Sequence, residues 1–195
     1  MSVLAAIRRA VLRVAWPLAV ALARVGHLVS RGGAAREGYP EHAAPLRVGD
    51  AIVTRTRWAP TNLLIPGHYK HAAMYVGDGD VVEAVYPVVR VAQLDAMLGR
   101  ADDYAVLRPR ALGAEQERNA ASVICAYVRA PYDFAFEPGA RALYCSEAVW
   151  MAYRAASPDW TFEARERMGV LTVTPNDFYE ARDHFSVVYE ERAAA

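Results

Sequence analysis

Cysteine is scarce in this chain: two residues, Cys125 and Cys145, stand among 195. One pair cannot build a disulfide framework, and no Cys/His cluster has the spacing of a structural zinc site. Net charge is missing too, since 22 Lys and Arg balance 22 Asp and Glu. That balance leaves no basic surplus for nucleic acid, so none is expected as a partner. Long apolar runs are also lacking. The uncharged run Val14 to Ala23 is about half of the roughly 20 residues needed to span a bilayer, which excludes an ordinary transmembrane helix. What remains is 54% hydrophobic and 23% charged, the composition of one globular domain with a real core rather than a disordered chain.

Acid is absent from residues 1–31, where Arg8, Arg9, Arg13, Arg24 and Arg31 are interleaved with apolar residues such as Leu12, Trp16, Leu18 and Leu22. At helical spacing Arg9, Arg13, Arg24, His27 and Arg31 share a wedge of roughly 60°, the pattern of a cationic amphipathic helix lying on an anionic bilayer, with a kink at Pro17. A signal peptide competes with this reading: the arginines form its charged region, Val14 to Val20 its apolar region and Ala21-Leu22-Ala23 its cleavage site. A helix that simply packs on the domain is the third alternative. Residues 32–47, with Gly32, Gly33, Gly38, Pro40 and Pro45, read as a linker, and the folded domain is assigned to residues 48–195.

Within the domain, Ala51 to Arg57 has the β-branched content of a strand, and Trp58 to Gly67 that of a loop. Tyr69 to Val76 and Val81 to Tyr86 are two apolar runs joined by Gly77-Asp78-Gly79-Asp80, a β-hairpin. Val88 to Val91 predicts a short strand, Gln93 to Leu98 a short helix and Asp103 to Leu107 another strand. Ala114 to Arg129 has helical spacing and holds Cys125, read as structural. Thr174 and Pro175 sit at the N-cap and first turn of a late helix, and Phe185 to Tyr189 predicts a closing strand.

Cys145 opens a second helix, in which Ala148, Val149, Ala152 and Tyr153 form the buried face. In a first turn the unpaired backbone N–H groups and the helix dipole favour a thiolate. Taken alone, the residue reads equally as a small buried cysteine. Its company decides: His71 lies near the outer end of one hairpin arm and Glu83, flanked by valines and alanine, on the other. A carboxylate beside an imidazole fixes its tautomer and supports its charge, as the third member of a nucleophilic triad does. His68, in the preceding loop, reads as a surface or substrate-side histidine.

Gly49-Asp50, the segment His71 to Gly79, Val82-Glu83-Ala84, Tyr132-Asp133-Phe134 and Tyr144-Cys145-Ser146-Glu147 occur in an order that resembles the permuted papain-like cysteine hydrolases of the NlpC superfamily, in particular the YiiX and YebB group. The resemblance spans roughly residues 45–190. It implies an α+β fold, a small antiparallel sheet with the nucleophile helix packed on it, preceded here by the N-terminal amphipathic segment. It also implies Cys145 as nucleophile, His71 as base and Glu83 as third residue, with Tyr132 at the oxyanion site and Tyr144 and His68 on the substrate side. No metal or organic cofactor is called for. Members of the superfamily process peptidoglycan peptides, other amides and lipid acyl groups. The membrane-seeking N-terminus favours an acylated lipid or envelope peptide as substrate and a location at a bacterial membrane or in the cell envelope. A peptidoglycan peptide hydrolase and an inert membrane-bound binding module are the alternatives.

The N-terminus yields a direct test. An interfacial helix predicts that the purified protein keeps Met1 or Ser2 and binds vesicles containing anionic lipid, with salt weakening the ~1 kcal/mol contributed by each arginine. A mature chain starting at Arg24, read by mass spectrometry, assigns a signal peptide instead. An intact N-terminus without vesicle binding at low salt leaves the packing helix.

Overall fold

The computed structural model describes residues 38–40, 43–57, 62, 65–133, 141–167 and 170–193. The expected N-terminal helix or signal peptide, most of the expected linker, much of the expected Trp58 to Gly67 loop and residues 134–140 lie outside the described residues. Among the described residues no helix is long and apolar enough to cross a membrane.

Strand β1 (Ala51–Arg55) is followed by β2 (His71–Gly77), β3 (Asp80–Val85) and β4 (Val88–Gln93), then by helix α1 (Leu94–Leu98) and β5 (Asp103–Pro109). Helices α2 (Ala114–Ala126) and α3 (Cys145–Ala156) follow, then a small hairpin of β6 (Arg165–Arg167) and β7 (Val170–Thr172), helix α4 (Pro175–Glu180) and β8 (Phe185–Glu191). The main sheet has the order β4-β3-β2-β1-β5-β8, and every neighbouring pair is antiparallel. This is the expected α+β architecture.

Strand alternation sorts the core into two layers. Ala51, Val53, Ala72, Met74, Val82, Ala84, Val89, Ala105 and Leu107 face Ala120, Ala121 and Ile124 of α2 and Ala148, Val149, Ala152 and Tyr153 of α3. On the other side Ile52, Ala73, Val81, Tyr104 and Val106 lie under Leu94, Met97 and Leu98 of α1. An aromatic cluster of Tyr153, Trp160, Phe162, Phe178 and Phe185 fills the space between α3, α4 and the sheet, with ring centroids 5.1–6.5 Å apart.

Several boundaries differ from those read in the sequence. Helix α2 ends at Ala126 because the chain turns through Arg129 at φ 80 and caps the β4 edge, where Arg129 N–H donates to Val89 O and Val89 N–H to Ala130 O. Cys125 is exposed on α2, so it is not one of that helix's packing residues. The β6–β7 pair has no counterpart among the elements read in the sequence, and the expected closing strand takes its place as β8, the sixth strand, beside β5.

Gly49-Asp50 ties the layers together at the end of the sheet where β1 begins. Buried Asp50 accepts from Arg108 Nε at 2.9 Å and Nη2 at 2.8 Å on β5, and from the Arg47 N–H at 2.8 Å. Gly49 O accepts from the Tyr153 hydroxyl of α3 at 2.6 Å. Gly49 adopts φ 94, and a Cβ there would sit 2.9 Å from the Glu117 backbone oxygen. Gly49→Ala therefore combines left-handed strain with a backbone clash. It should destabilise the protein by about 2–4 kcal/mol in urea titration.

Candidate active site

The hairpin register brings two of the anticipated residues together. Ala73 pairs with Glu83 across β2 and β3, so His71, two residues further along the same face, is the diagonal neighbour of Glu83. The start of β2 is held from α4: Asn176 Oδ1 accepts from the N–H groups of His68 at 2.9 Å and Tyr69 at 3.3 Å. Gly67, at φ 88, passes so close to Asn176 that a Cβ would lie 2.4 Å from its side chain. Only glycine fits that approach.

Glu83 is 1% exposed, which for a carboxylate demands compensation. Its Oε2 accepts from His71 Nε2 at 2.7 Å. Its Oε1 accepts from Arg90 Nε at 3.0 Å and Nη2 at 2.7 Å, and Arg100 Nη2 lies 3.5 Å away. Burial by itself raises the Glu83 carboxyl, but His71 and then Arg90 more than offset it and hold it down at about 2.

Cys145 is the first residue of α3 and is buried. The imidazole of His71 engages Glu83 through Nε2, which leaves Nδ1 as the nitrogen available to the Cys145 sulfur. Burial raises the Cys145 thiol. The hydrogen bond and charge of His71, joined by the N–H groups of Ala72 and Ser146, outweigh that and lower it. Burial pulls His71 down, yet Cys145 and Glu83 together push it up to about 10. Both shifts have the sign that favours a thiolate beside an imidazolium.

Both ends of α3 are anchored. Ser146 Oγ donates to Val173 O at 2.7 Å, and Tyr153, two turns on, holds Gly49. Tyr132 pairs in an isolated bridge with Leu143, and its N–H donates to Pro87 O at 2.9 Å. Burial, followed by the negative charge of Cys145, raises the Tyr132 hydroxyl well above its ordinary value. The other two anticipated residues point elsewhere. The Tyr144 hydroxyl accepts from Val173 N–H at 3.1 Å. His68 Nε2 lies 3.0 Å from Asp103 Oδ2 on β5, and its Nδ1 faces Arg55 Nη1 at 3.4 Å. Burial and then Arg55 lower His68, favouring a neutral ring.

The structure thus brings Cys145, His71, Glu83 and Tyr132 to one place and gives the side chains of Tyr144 and His68 partners outside it. Arg90 went unnoticed in the sequence, where it looked like a polar residue of a short strand. The two-residue connection Tyr86-Pro87 held the signal, because counting back across it sets Glu83 opposite Arg90.

An antiparallel sheet that carries histidine and carboxylate before a later helix opening on cysteine is the papain-like arrangement in permuted order. The family model described as permuted papain-like amidase enzyme, YaeF/YiiX, C92 family, matches residues 45–192, and the chain belongs to that family. The family is one of hydrolases of the amidase type. The crystal structure of metalloprotein yiiX from Escherichia coli O157:H7 is similar in fold, with a TM-score of 0.66 and 23% identity over 75% of this chain and 98% of that chain. Among curated proteins none matches. The relative is described as a metalloprotein; among the described residues here, no group of three or more His, Cys, Asp or Glu side chains could hold a metal ion.

The shifted carboxyl ties stability to pH. Glu83 ionises at about 2 in the fold against an ordinary 4.5, so its contribution is present above 4.5 and is lost as pH falls towards 2. Glu83→Gln removes the charge that His71 and Arg90 are paired with and should cost about 2 kcal/mol at neutral pH. In urea titrations the gap to wild type should close as pH falls from 4.5 towards 2. His71 has the opposite sign: its share is full below 6.5 and disappears as pH rises through about 10.

Proposed function

We propose that the protein is a cysteine hydrolase or acyltransferase that cleaves an amide, ester or thioester bond of a lipid or cell-envelope substrate through Cys145, His71 and Glu83. One observation carries the chemistry: the His71 ring is held at 2.7 Å by buried Glu83 through Nε2, and His71 and Cys145 shift one another's ionisation in the sense of an ion pair.

In this reading the Cys145 thiolate attacks the substrate carbonyl carbon, forming a C–S bond and moving the carbonyl π electrons onto oxygen. The oxyanion accepts hydrogen bonds from the Cys145 backbone N–H, one of the free donors of a first helical turn, and from the Tyr132 hydroxyl. Collapse breaks the bond to the leaving group, which takes the Nδ1 proton of His71. Neutral His71 then removes a proton from water, or from another acceptor, as that acceptor attacks the thioester. The second tetrahedral species expels the thiolate and restores the ion pair. Glu83 supports the imidazolium in each half-reaction and orients the ring. Tyr144 and His68, whose side chains are bonded elsewhere, serve as walls on the substrate side. The acid-free, arginine-rich residues 1–31 support a membrane surface as the place of work.

Alkylation by iodoacetamide, mapped by mass spectrometry, tests the nucleophile with Cys125 as a reference inside the same molecule. Cys145 should react at pH 6 as a thiolate, whereas an ordinary thiol of pKa about 8.5 is nearly inert there. Equal, slow reaction of both cysteines would refute the mechanism. Acyl-lipid and peptidoglycan libraries then identify the substrate through product that wild type releases and Cys145→Ala does not. With that substrate Cys145→Ala and His71→Ala should each abolish turnover, and the double variant should lose little more, because members of one catalytic unit are non-additive. Tyr132→Phe should slow the chemical step by up to ~10²-fold; a change in KM alone moves Tyr132 to the binding wall.

A further inference from the structure

Three cationic side chains from three different parts of the fold converge on one carboxylate. His71 arrives from β2, Arg90 from β4 and Arg100 from the turn after α1, and the ionisation of His71 is coupled in turn to Cys145. The division of labour on Glu83 is uneven. Arg90 puts both Nε and Nη2 on Oε1, at 3.0 and 2.7 Å, and leaves Oε2 entirely to His71. Arg100 makes a single long approach of 3.5 Å and is 50% exposed.

We infer that Arg90 is a positioning residue for the reaction, clamping Glu83 through its guanidinium fork so that one carboxylate oxygen stays aimed at His71. The inference rests on the reading of Cys145, His71 and Glu83 given above. A planar fork fixes the plane of a carboxylate as a single ammonium cannot. Without it Glu83 can turn about its terminal bond, and the imidazole loses the partner that holds its tautomer.

Arg90 also sets the charge that reaches the dyad. With the guanidinium in place, Glu83 and Arg90 are close to neutral as a unit. Removing the cation leaves a bare carboxylate facing His71 and Cys145, which disfavours the thiolate and favours the imidazolium. Both changes have the same sign. The pH at which Cys145 becomes a thiolate rises, and so does the pH at which His71 loses its proton.

The experiment compares wild type with Arg90→Gln, Arg90→Lys and Arg100→Gln as full-length proteins, each checked for folding by circular dichroism. Two readouts are taken across pH: the iodoacetamide rate at Cys145, with Cys125 as reference, and turnover of whichever substrate the library screen yields. Arg90→Gln should move both limbs of the profile to higher pH, by roughly one unit. Arg90→Lys keeps the charge and should keep the limbs, yet it should turn over roughly tenfold more slowly, because one ammonium cannot fix the carboxylate plane. Arg100→Gln should move the limbs much less than Arg90→Gln.

A profile for Arg90→Gln that superimposes on wild type overturns the inference. So does an equal shift from Arg100→Gln, which would make the effect one of general charge, or wild-type turnover in Arg90→Lys, which would make the fork dispensable. The last of these decides the matter if Arg90→Gln does not fold. If wild-type Cys145 itself reacts as an ordinary thiol, the catalytic reading fails first; an activated Cys145 that ignores Arg90 defeats only the present inference.

Discussion

A carboxylate with 1% of its surface exposed is the constraint around which the catalytic end of this molecule is arranged. Desolvating such a charge costs several kcal/mol, and the cost is offset only when partners are close, cationic and well directed. Here they come from β2 and β4, the two strands that flank β3, so the ion pairs exist only in the observed register. A slip of one residue in either pairing would send Glu83 to the opposite face, among the side chains packed under α2 and α3. Val81 lies in the layer under α1 and Val82 and Ala84 in the layer against α2 and α3, so a slipped Glu83 would be buried among apolar side chains without a cation. Packing therefore fixes the electrostatics, and the electrostatics in turn define what His71 can do.

The sulfur is placed by a different device. Helix α3 presents Cys145 at its first residue, and the position of that residue along the helix axis is set by two hydrogen bonds far apart. Ser146 is fastened to Val173 ahead of α4, and Tyr153 to Gly49 at the start of the first strand. The second anchor leads on to Asp50 and Arg108, so the buried ion pair at one end of the sheet steadies the helix whose other end carries the nucleophile. A helix so fixed lets the thiolate accept from the N–H groups of Ala72 and Ser146 as well as from His71. The sulfur can then stay ionised although it is buried.

What could be read from the sequence follows the range of the interactions concerned. The hairpin of β2 and β3, with its Gly-Asp turn, and the buried face of α3 are local patterns of period two and 3.6, and they were legible. His71 and Glu83 are 12 residues apart across one turn. The Thr174 cap was legible for the same reason: its side chain accepts from the Asp177 N–H only three residues on. Partners brought together by pairing at a distance were not visible. Nothing near Asp50 announces Arg108, nothing near Asn176 announces the turn at Gly67, and β8 reveals its place beside β5 only when the sheet is assembled. Tyr144 and His68 show the same limit from the other side. Their neighbourhood in sequence suggested a role at the substrate, but their side chains are bonded to Val173 and turned towards Asp103.

The order of the chain adds a last step. In this permuted arrangement His71 and Glu83 form a local unit, whereas Cys145 follows only after β5 and α2, on a helix packed against aromatic residues that come later still in the chain. An isolated hairpin of two strands is at best marginally stable in water, and it would leave Glu83 hydrated and its partners loosely held. The sulfur outside its packed helix would be an ordinary thiol. Neither part is chemically competent alone, since the shifts of Glu83, His71 and Cys145 arise from one another and from shared burial. Under the proposed chemistry, reactivity at Cys145 is a property of the assembled core, and anything that loosens the sheet beneath it should raise the thiol's pKa before it unfolds the protein.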